Sequence, residues 1–287
     1  MFWFWILVAT FLVPPNPTGA QQGRIINGED AEYGQFPYQV MLIIQMAEGR
    51  ALCGGSLLSE EWVLTAGHCV DNATSFQVTM GNLYLKPDGG HEEGAIVMNT
   101  TEYYQHENYS SSTAQNDIAV IRLPEKVEYS YRIGPVKLPS GHDDYNQRET
   151  IVSGWGKETD FGGAAQRLQY TNLTVISNTR CSMLYGPGII QPTILCCQGE
   201  QRKSTCNGDS GGPLVLADDR TLVGIVSFGH IIGCERRLPM GFTRVTEFTD
   251  WITTITGVKS SSSGEGEAGE KPGEEPSPKR PWQSLFG

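Results

Sequence analysis

Between Ile25 and about Val245 the chain is a succession of short β-type runs. Tyr38–Ile44, Trp62–Thr65, Ile118–Leu123, Thr150–Ser153, Leu173–Ile176 and Leu222–Ser227 are examples, and turns rich in Gly, Pro, Asn and Asp separate them. Short strands at regular spacing with turn signals between them predict an all-β sandwich or barrel. One stretch departs from this. Val245, Phe248, Ile252 and Ile255 recur at helical spacing, which predicts a C-terminal helix with its apolar face on the body.

The chemistry is concentrated at one bend, Cys206-Asn207-Gly208-Asp209-Ser210-Gly211-Gly212-Pro213. Glycines on both sides of Ser210 let the chain turn sharply and let a substrate approach the backbone. A hydroxyl and two amides at one tight turn are what acyl transfer needs: a nucleophile, and N–H donors for the oxyanion. A bend of this composition is also an ordinary surface turn, so the case depends on a base and an orienting carboxylate. His68, in Thr65-Ala66-Gly67-His68-Cys69, is the candidate base. Asp117, in Asn116-Asp117-Ile118-Ala119-Val120, is the candidate carboxylate.

With these three contexts in the order His, Asp, Ser, the chain closely resembles the chymotrypsin-like serine endopeptidases. The resemblance sharpens the fold to two six-stranded antiparallel β-barrels with a short C-terminal helix. His68 and Asp117 come from the first barrel and Ser210 from the second. It also implies roles. Ser210 attacks, His68 is base and then acid, Asp117 holds the imidazole, and the amides of Gly208 and Ser210 form the oxyanion hole. The stretches Ser204–Ser210, Phe242–Thr246 and Asp250–Ile252 resemble the brachyurin or arthropod chymotrypsin and collagenase branch.

The start of the chain carries an apolar run, Met1–Val13, followed by small residues at Thr18-Gly19-Ala20. The run is shorter than the ~20 residues a bilayer span needs. Residues 1–20 read as a secretory signal, with an uncleaved anchor as the alternative because a positive leading segment is missing. Residues 21–24 read as an activation peptide ending at Arg24. In the resembled family, cleavage before such an Ile25-Ile26-Asn27-Gly28 start makes the active enzyme. The new Ile25 ammonium can then enter the interior beside Asp209, where a buried charge is tolerable only if paired. Residues 25–258 form the protease domain. Residues 259–287, rich in Ser, Gly, Glu, Pro and Lys, read as a disordered tail. Its Trp282, Leu285 and Phe286 form a candidate docking motif, and Lys279-Arg280 a candidate processing site.

Seven cysteines in a secreted chain predict disulfides and one leftover thiol. The resemblance pairs Cys53 with Cys69 and Cys206 with Cys234. It pairs Cys181 with Cys196 or Cys197, and Cys196 is favoured. No second Cys/His cluster with ligand spacing appears, so no metal and no cofactor are expected. The loop from Gly81 to Asp88 is poor in hard oxygen ligands at its start, against a calcium site. A formal net charge of −11 with no basic run argues against nucleic acid and anionic membranes as partners. The expected partners are protein or peptide substrates, an activating protease that cuts after arginine, and protein protease inhibitors. A monomer is expected. Sequons stand at Asn72, Asn99, Asn108 and Asn172, candidate glycan sites on an extracellular protein.

Substrate preference turns on a few residues. The resemblance puts Ser204 at the pocket base, where trypsin-like members have an aspartate. It makes Ser227, Phe228 and Gly229 the strand that pairs with the substrate backbone. Gly229 leaves the wall open to bulky side chains. Met240 stands where many members have glycine, and a flexible apolar side chain there shortens the pocket. These residues point to cleavage after uncharged, hydrophobic residues, chymotrypsin- or elastase-like. Two alternatives are a catalytically silent binding protein on the same scaffold and a broad-specificity collagenolytic protease. Some members of the resembled branch carry an acidic residue in place of Met240, so breadth and collagenolysis are in question.

Overall fold

The β-type runs pair into two antiparallel sheets. In chain order the strands are β1 (Glu29–Asp30), β2 (Gln39–Met46), β3 (Gly49–Leu57), β4 (Trp62–Thr65), β5 (Ala73–Met80), β6 (Ile96–Thr100), β7 (Tyr103–Gln105), β8 (Ala119–Arg122), β9 (Glu149–Gly154), β10 (Gln169–Ile176), β11 (Ile194–Gln198), β12 (Pro213–Leu216), β13 (Leu222–Phe228) and β14 (Met240–Arg244). The structure is a computed structural model and describes residues 25–26, 28–86, 91–201, 203–229, 233–236 and 238–260. The expected secretory segment, the expected activation peptide with Arg24, and the expected tail from residue 261 on lie outside the described residues.

Strands β9 to β14 close into a six-stranded barrel in the order β9-β10-β11-β14-β13-β12, with β12 returning to β9. β1 pairs with Gln169 and Tyr170 of β10, opposite β9. The N-terminal sheet runs β6-β5-β2-β3-β4-β8-β7 and curls into a half-barrel, with no ladder between its edge strands β6 and β7. Thr101 and Glu102 alone separate those two strands in the chain, yet β6 pairs with β5 and β7 with β8 rather than with each other. Thr100 Oγ1 and the Arg122 amide span the gap instead, donating to the Arg122 and Glu102 carbonyls at 2.9 and 3.0 Å.

Period-2 alternation builds each core. Val40, Leu42 and Ile44 of β2 face Met80, Val78 and Phe76 of β5 in register, and all six are buried. Each such side chain contributes about 1.5–3 kcal/mol on burial. Val152, Leu173, Val175, Leu195, Leu214 and Phe242 fill the second barrel. Cys197 lies among them as a free, fully buried thiol, and burial pushes its pKa well up. Its neighbour Cys196 points to the other side of the strand and is bonded to Cys181; Cys53 is bonded to Cys69 and Cys206 to Cys234.

Buried hydrogen bonds join the two halves. Ser153 Oγ donates to Gln39 Oε1 at 2.6 Å, Trp155 Nε1 to the Leu83 carbonyl at 3.1 Å, and Thr243 Oγ1 to the Asp117 carbonyl at 2.6 Å. The helices are short: α1 (Gly67–Val70), α2 (Asn178–Tyr185) and α3 (Thr249–Thr256). The C-terminal helical pattern splits in two. Val245–Phe248 forms a 3-10 turn, Phe248 leaves helical geometry at φ −123°, and α3 follows. Val245, Phe248 and Ile252 are buried, as the spacing requires, and Ile255 is half-buried. No helix among the described residues is long and apolar enough to cross a membrane.

Candidate active site

His68 sits on the single turn of α1, directly after β4, and Asp117 lies just before β8, the strand that pairs with β4. That pairing brings together two residues 49 positions apart. His68 Nδ1 lies 2.8 Å from Asp117 Oδ2, and the His68 backbone amide donates to Oδ1 at 2.7 Å. A third donor comes from the other half of the molecule: Ser227 Oγ to Asp117 Oδ2 at 2.6 Å. The carboxylate is 1% exposed and bonded on both oxygens. The ring therefore presents Nδ1–H to Asp117 and a free lone pair at Nε2. Burial disfavours the charged imidazolium, but the hydrogen bond and charge of Asp117 outweigh it and raise the His68 pKa above its ordinary value.

Ser210 reaches the same place from the second barrel. The Gly54 amide donates to the Ser210 carbonyl at 2.7 Å, which ties the nucleophile turn to β3. Gly211, the next residue, packs on Thr65 and on the Ala66 amide, just ahead of α1. Within the turn the amides of Asp209, Gly211 and Gly212 donate to the carbonyls of Cys206, Val226 and Asp209. Among the described residues, no carbonyl takes the amides of Gly208 or Ser210. These two amides are the donors that the sequence assigns to an oxyanion.

A cleft of about 560 Å³ opens beside Ser210 and is lined by Ser204, Ser227, Phe228, Gly229 and Met240. The Met240 side chain turns into its base. The Thr205 amide donates to Met240 Sδ at 3.1 Å, and Ser204 Oγ lies 3.2 Å from the same sulfur. Among the described residues nothing would crowd a Cβ at Gly229.

A family model described as trypsin matches residues 25–252. The chain belongs to the trypsin family. It is 43% identical over 255 residues to a collagenase of Hypoderma lineatum, covering 87% of this chain and 94% of the relative. Brachyurin of Leptuca pugilator is 40% identical over 237 residues, 82% of this chain and 99% of that protein. The solved structure of HL collagenase superposes with a TM-score of 0.75 at 42% identity, covering 82% of this chain and all of that one. The protein is thus a chymotrypsin-like serine endopeptidase of the arthropod collagenase and brachyurin branch.

In this trypsin-family enzyme Asp209, next to Ser210 in the chain, is fully buried. Its carboxylate takes the Gly156 amide at 2.7 Å and the Cys206 amide at 2.9 Å. A Cβ on Gly156 would lie 2.2 Å from Asp209 Oδ2, so only glycine lets that backbone come so close. Burial raises the Asp209 pKa to about 6 despite the two amides. Ile25 is buried, and Ile26 forms an antiparallel bridge with Ser204 at the cleft base.

Two features escaped the sequence. The Ser227 hydroxyl bonds to the Asp117 carboxylate, which no local pattern could show because the two are 110 positions apart. Helix α2 carries a Ser177 N-cap and a Gly186 C-cap, a pair of signals that the sequence does hold between the strands. Its Tyr185 ring packs edge-on against Phe228 of the cleft wall. The loop after β5 is closed by its own groups. Glu92 Oε2 takes the Leu83 and Tyr84 amides at 2.5 and 3.0 Å, and the Glu92 amide donates to Asn82 Oδ1 at 3.0 Å.

The His68 shift sets a pH limb. If His68 is the expected base it works only when neutral, so kcat/KM should fall as pH drops through a midpoint above the ordinary ~6.5. Asp117→Asn removes the charge that helps raise the pKa, and leaves one acceptor oxygen and an amide donor facing three donors, so the His68 tautomer is no longer fixed. It should lower kcat by roughly 10⁴ while moving the limb to lower pH. A pH–rate profile of both proteins checks this, and an unmoved limb in the variant counts against it.

Proposed function

We propose that this serine endopeptidase is secreted as a zymogen, is activated by cleavage after Arg24, and cuts peptide bonds that follow uncharged hydrophobic residues. Ser210 Oγ attacks the scissile carbonyl, and His68 Nε2 takes its proton and returns it to the leaving amine. Asp117 holds the ring and stabilises the imidazolium. The Gly208 and Ser210 amides receive the oxyanion. The residues Ser227–Gly229 pair with the substrate backbone as an added strand. The apolar leader at residues 1–20 and the disulfides support secretion. The four sequon asparagines, Asn72, Asn99, Asn108 and Asn172, are all exposed and so accessible to glycosylation. An activating protease and protein protease inhibitors are the proposed partners, and the enzyme acts as a monomer.

The observation that carries the specificity is the Met240 sulfur on Ser204 and Thr205. It replaces a charged or wet floor by a thioether, which suits Leu, Met, Phe or Tyr and gives a guanidinium no partner. A peptide-library profile of protein cleaved after Arg24 tests this; preferred cutting after Arg or Lys would sink it. Ser204→Asp alone should not create arginine cleavage, because the new carboxylate lies under the thioether and pays desolvation of several kcal/mol. It should cost about tenfold or more in kcat/KM on hydrophobic substrates. Adding Met240→Gly should open the floor and raise arginine cleavage by roughly 10–100-fold over Ser204→Asp, a change of about 1.4–2.7 kcal/mol.

Collagen cleavage is a second reading, favoured by the 43% identity to a collagenase. Incubation of the activated enzyme with native triple-helical collagen decides it.

A further inference from the structure

We propose that Asp160 is a positioning residue of the substrate cleft, a latch that holds the cleft rim to the nucleophile turn. The proposal rests on the cleft beside Ser210 being the substrate pocket. The segment after β9 touches the nucleophile turn first. The Gly156 amide donates to Asp209, and the Lys157 amide to the Asn207 carbonyl at 2.9 Å. Three residues on, the same segment meets the rim. The Cys234 amide donates to Asp160 Oδ1 at 2.6 Å, and the Asp160 amide donates to Glu235 Oε2 at 3.1 Å. Each loop thus gives one backbone amide and takes one on a carboxylate. The Cys206–Cys234 disulfide completes the ring, since Cys206 opens the nucleophile turn.

The fit is close. Gly233 has φ +116°, and a Cβ there would lie 2.5 Å from Asp160 Oδ2. Asp160, Gly233 and Cys234 all line the cleft. Among the described rim residues no strand lies between β13 and β14, so bonds of this kind hold Gly233–Glu235. A charge-assisted hydrogen bond to an amide is among the stronger ways to hold one.

The kinetic consequence follows from where the ordering cost falls. With the latch intact the rim is set before substrate arrives. Without it, each substrate must order the rim on binding, a cost common to the ground state and the transition state. Loss common to both raises KM and leaves kcat alone. Asp160→Ala should therefore raise KM about tenfold on a peptide p-nitroanilide with Phe before the scissile bond, with kcat within twofold to threefold. Asp160→Asn keeps an acceptor oxygen for the Cys234 amide and should restore KM to within about threefold of wild type. Gly233→Ala pushes the carboxylate away and should give the same KM rise. The double variant Asp160→Ala/Gly233→Ala should show much less than the product of the two effects, because both break one latch.

The experiment is steady-state kinetics of these four activated variants and wild type, each normalised by active-site titration with a small alkyl fluorophosphonate. That probe has no side chain for the cleft, so it reports Ser210 alone. Wild type unlabelled at Ser210 would overturn the protease reading itself. Labelled proteins with KM of Asp160→Ala within twofold of wild type would overturn only the latch. So would an asparagine variant as impaired as the alanine one, or multiplicative effects in the double variant. If Asp160→Ala does not label, the Asn and Gly233→Ala variants decide the question by the same criteria.

Discussion

Ser210→Ala should lower kcat by roughly 10⁶, as loss of a triad nucleophile does, and leave a residual rate well above that of water. The fold should hardly notice. The contact that fixes this turn is made by the Ser210 carbonyl with the Gly54 amide, and alanine keeps it. Stability should stay within about 0.5 kcal/mol of wild type. His68→Ala should cost about as much, and the double variant little more, because the hydroxyl and the imidazole act as one unit. The measurement is kcat on a hydrophobic peptide substrate with a denaturation curve for each protein. Full activity in Ser210→Ala would end the assignment of the nucleophile, and so would effects of the two variants that multiply.

Much of this site was legible because its chemistry lies in short local strings. Cys206–Pro213 names a nucleophile and two amides in eight consecutive residues. The strands around it announce themselves through alternation, and the register β2 to β5 follows from which face is apolar. What stayed hidden depends on long-range geometry. The second barrel closes by pairing β9 with both β10 and β12, whereas the first curls with no ladder between β6 and β7. Neither outcome has a local signature. The same holds for Ser227 on Asp117 and for Asp160 on Cys234, which are single polar residues with nothing in their neighbours to mark the partner. Met240 lies between these cases. Its type suggested an apolar floor, but only the structure shows its sulfur on Ser204 and Thr205 rather than turned away.

Cleavage after Arg24 should raise activity by roughly 10²–10³-fold or more, and the reason lies at Asp209. Among the described residues no lysine, arginine or histidine forms an ion pair with this fully buried carboxylate, and burial lifts its pKa to about 6. In the uncleaved chain Ile25 also has φ 60°, unfavourable for a β-branched residue, and cutting the bond before it abolishes that dihedral. On the proposed activation, the freed Ile25 ammonium would supply the missing cation. The sign of the linkage can be tested directly. A carboxyl raised in the folded state holds its proton longer than in the unfolded chain, so stability is lost as pH climbs from about 4 through about 6. For a shift of this size the loss is on the order of 3 kcal/mol in the uncleaved protein. Pairing removes it in the cleaved protein. Arg24→Gln, which blocks cleavage, should match the cleaved enzyme in stability near pH 4 and fall behind by about that amount at pH 7.5. The pairing also raises the ammonium pKa above its free value of ~7.7–8.0, so the pair is intact at neutral pH and lost as pH rises through the raised value. Activity of the cleaved enzyme should fall there, while His68 limits it on the acid side. A stability gap independent of pH, or an Arg24→Gln protein as active as the cleaved one, would show that Asp209 is held by something other than Ile25.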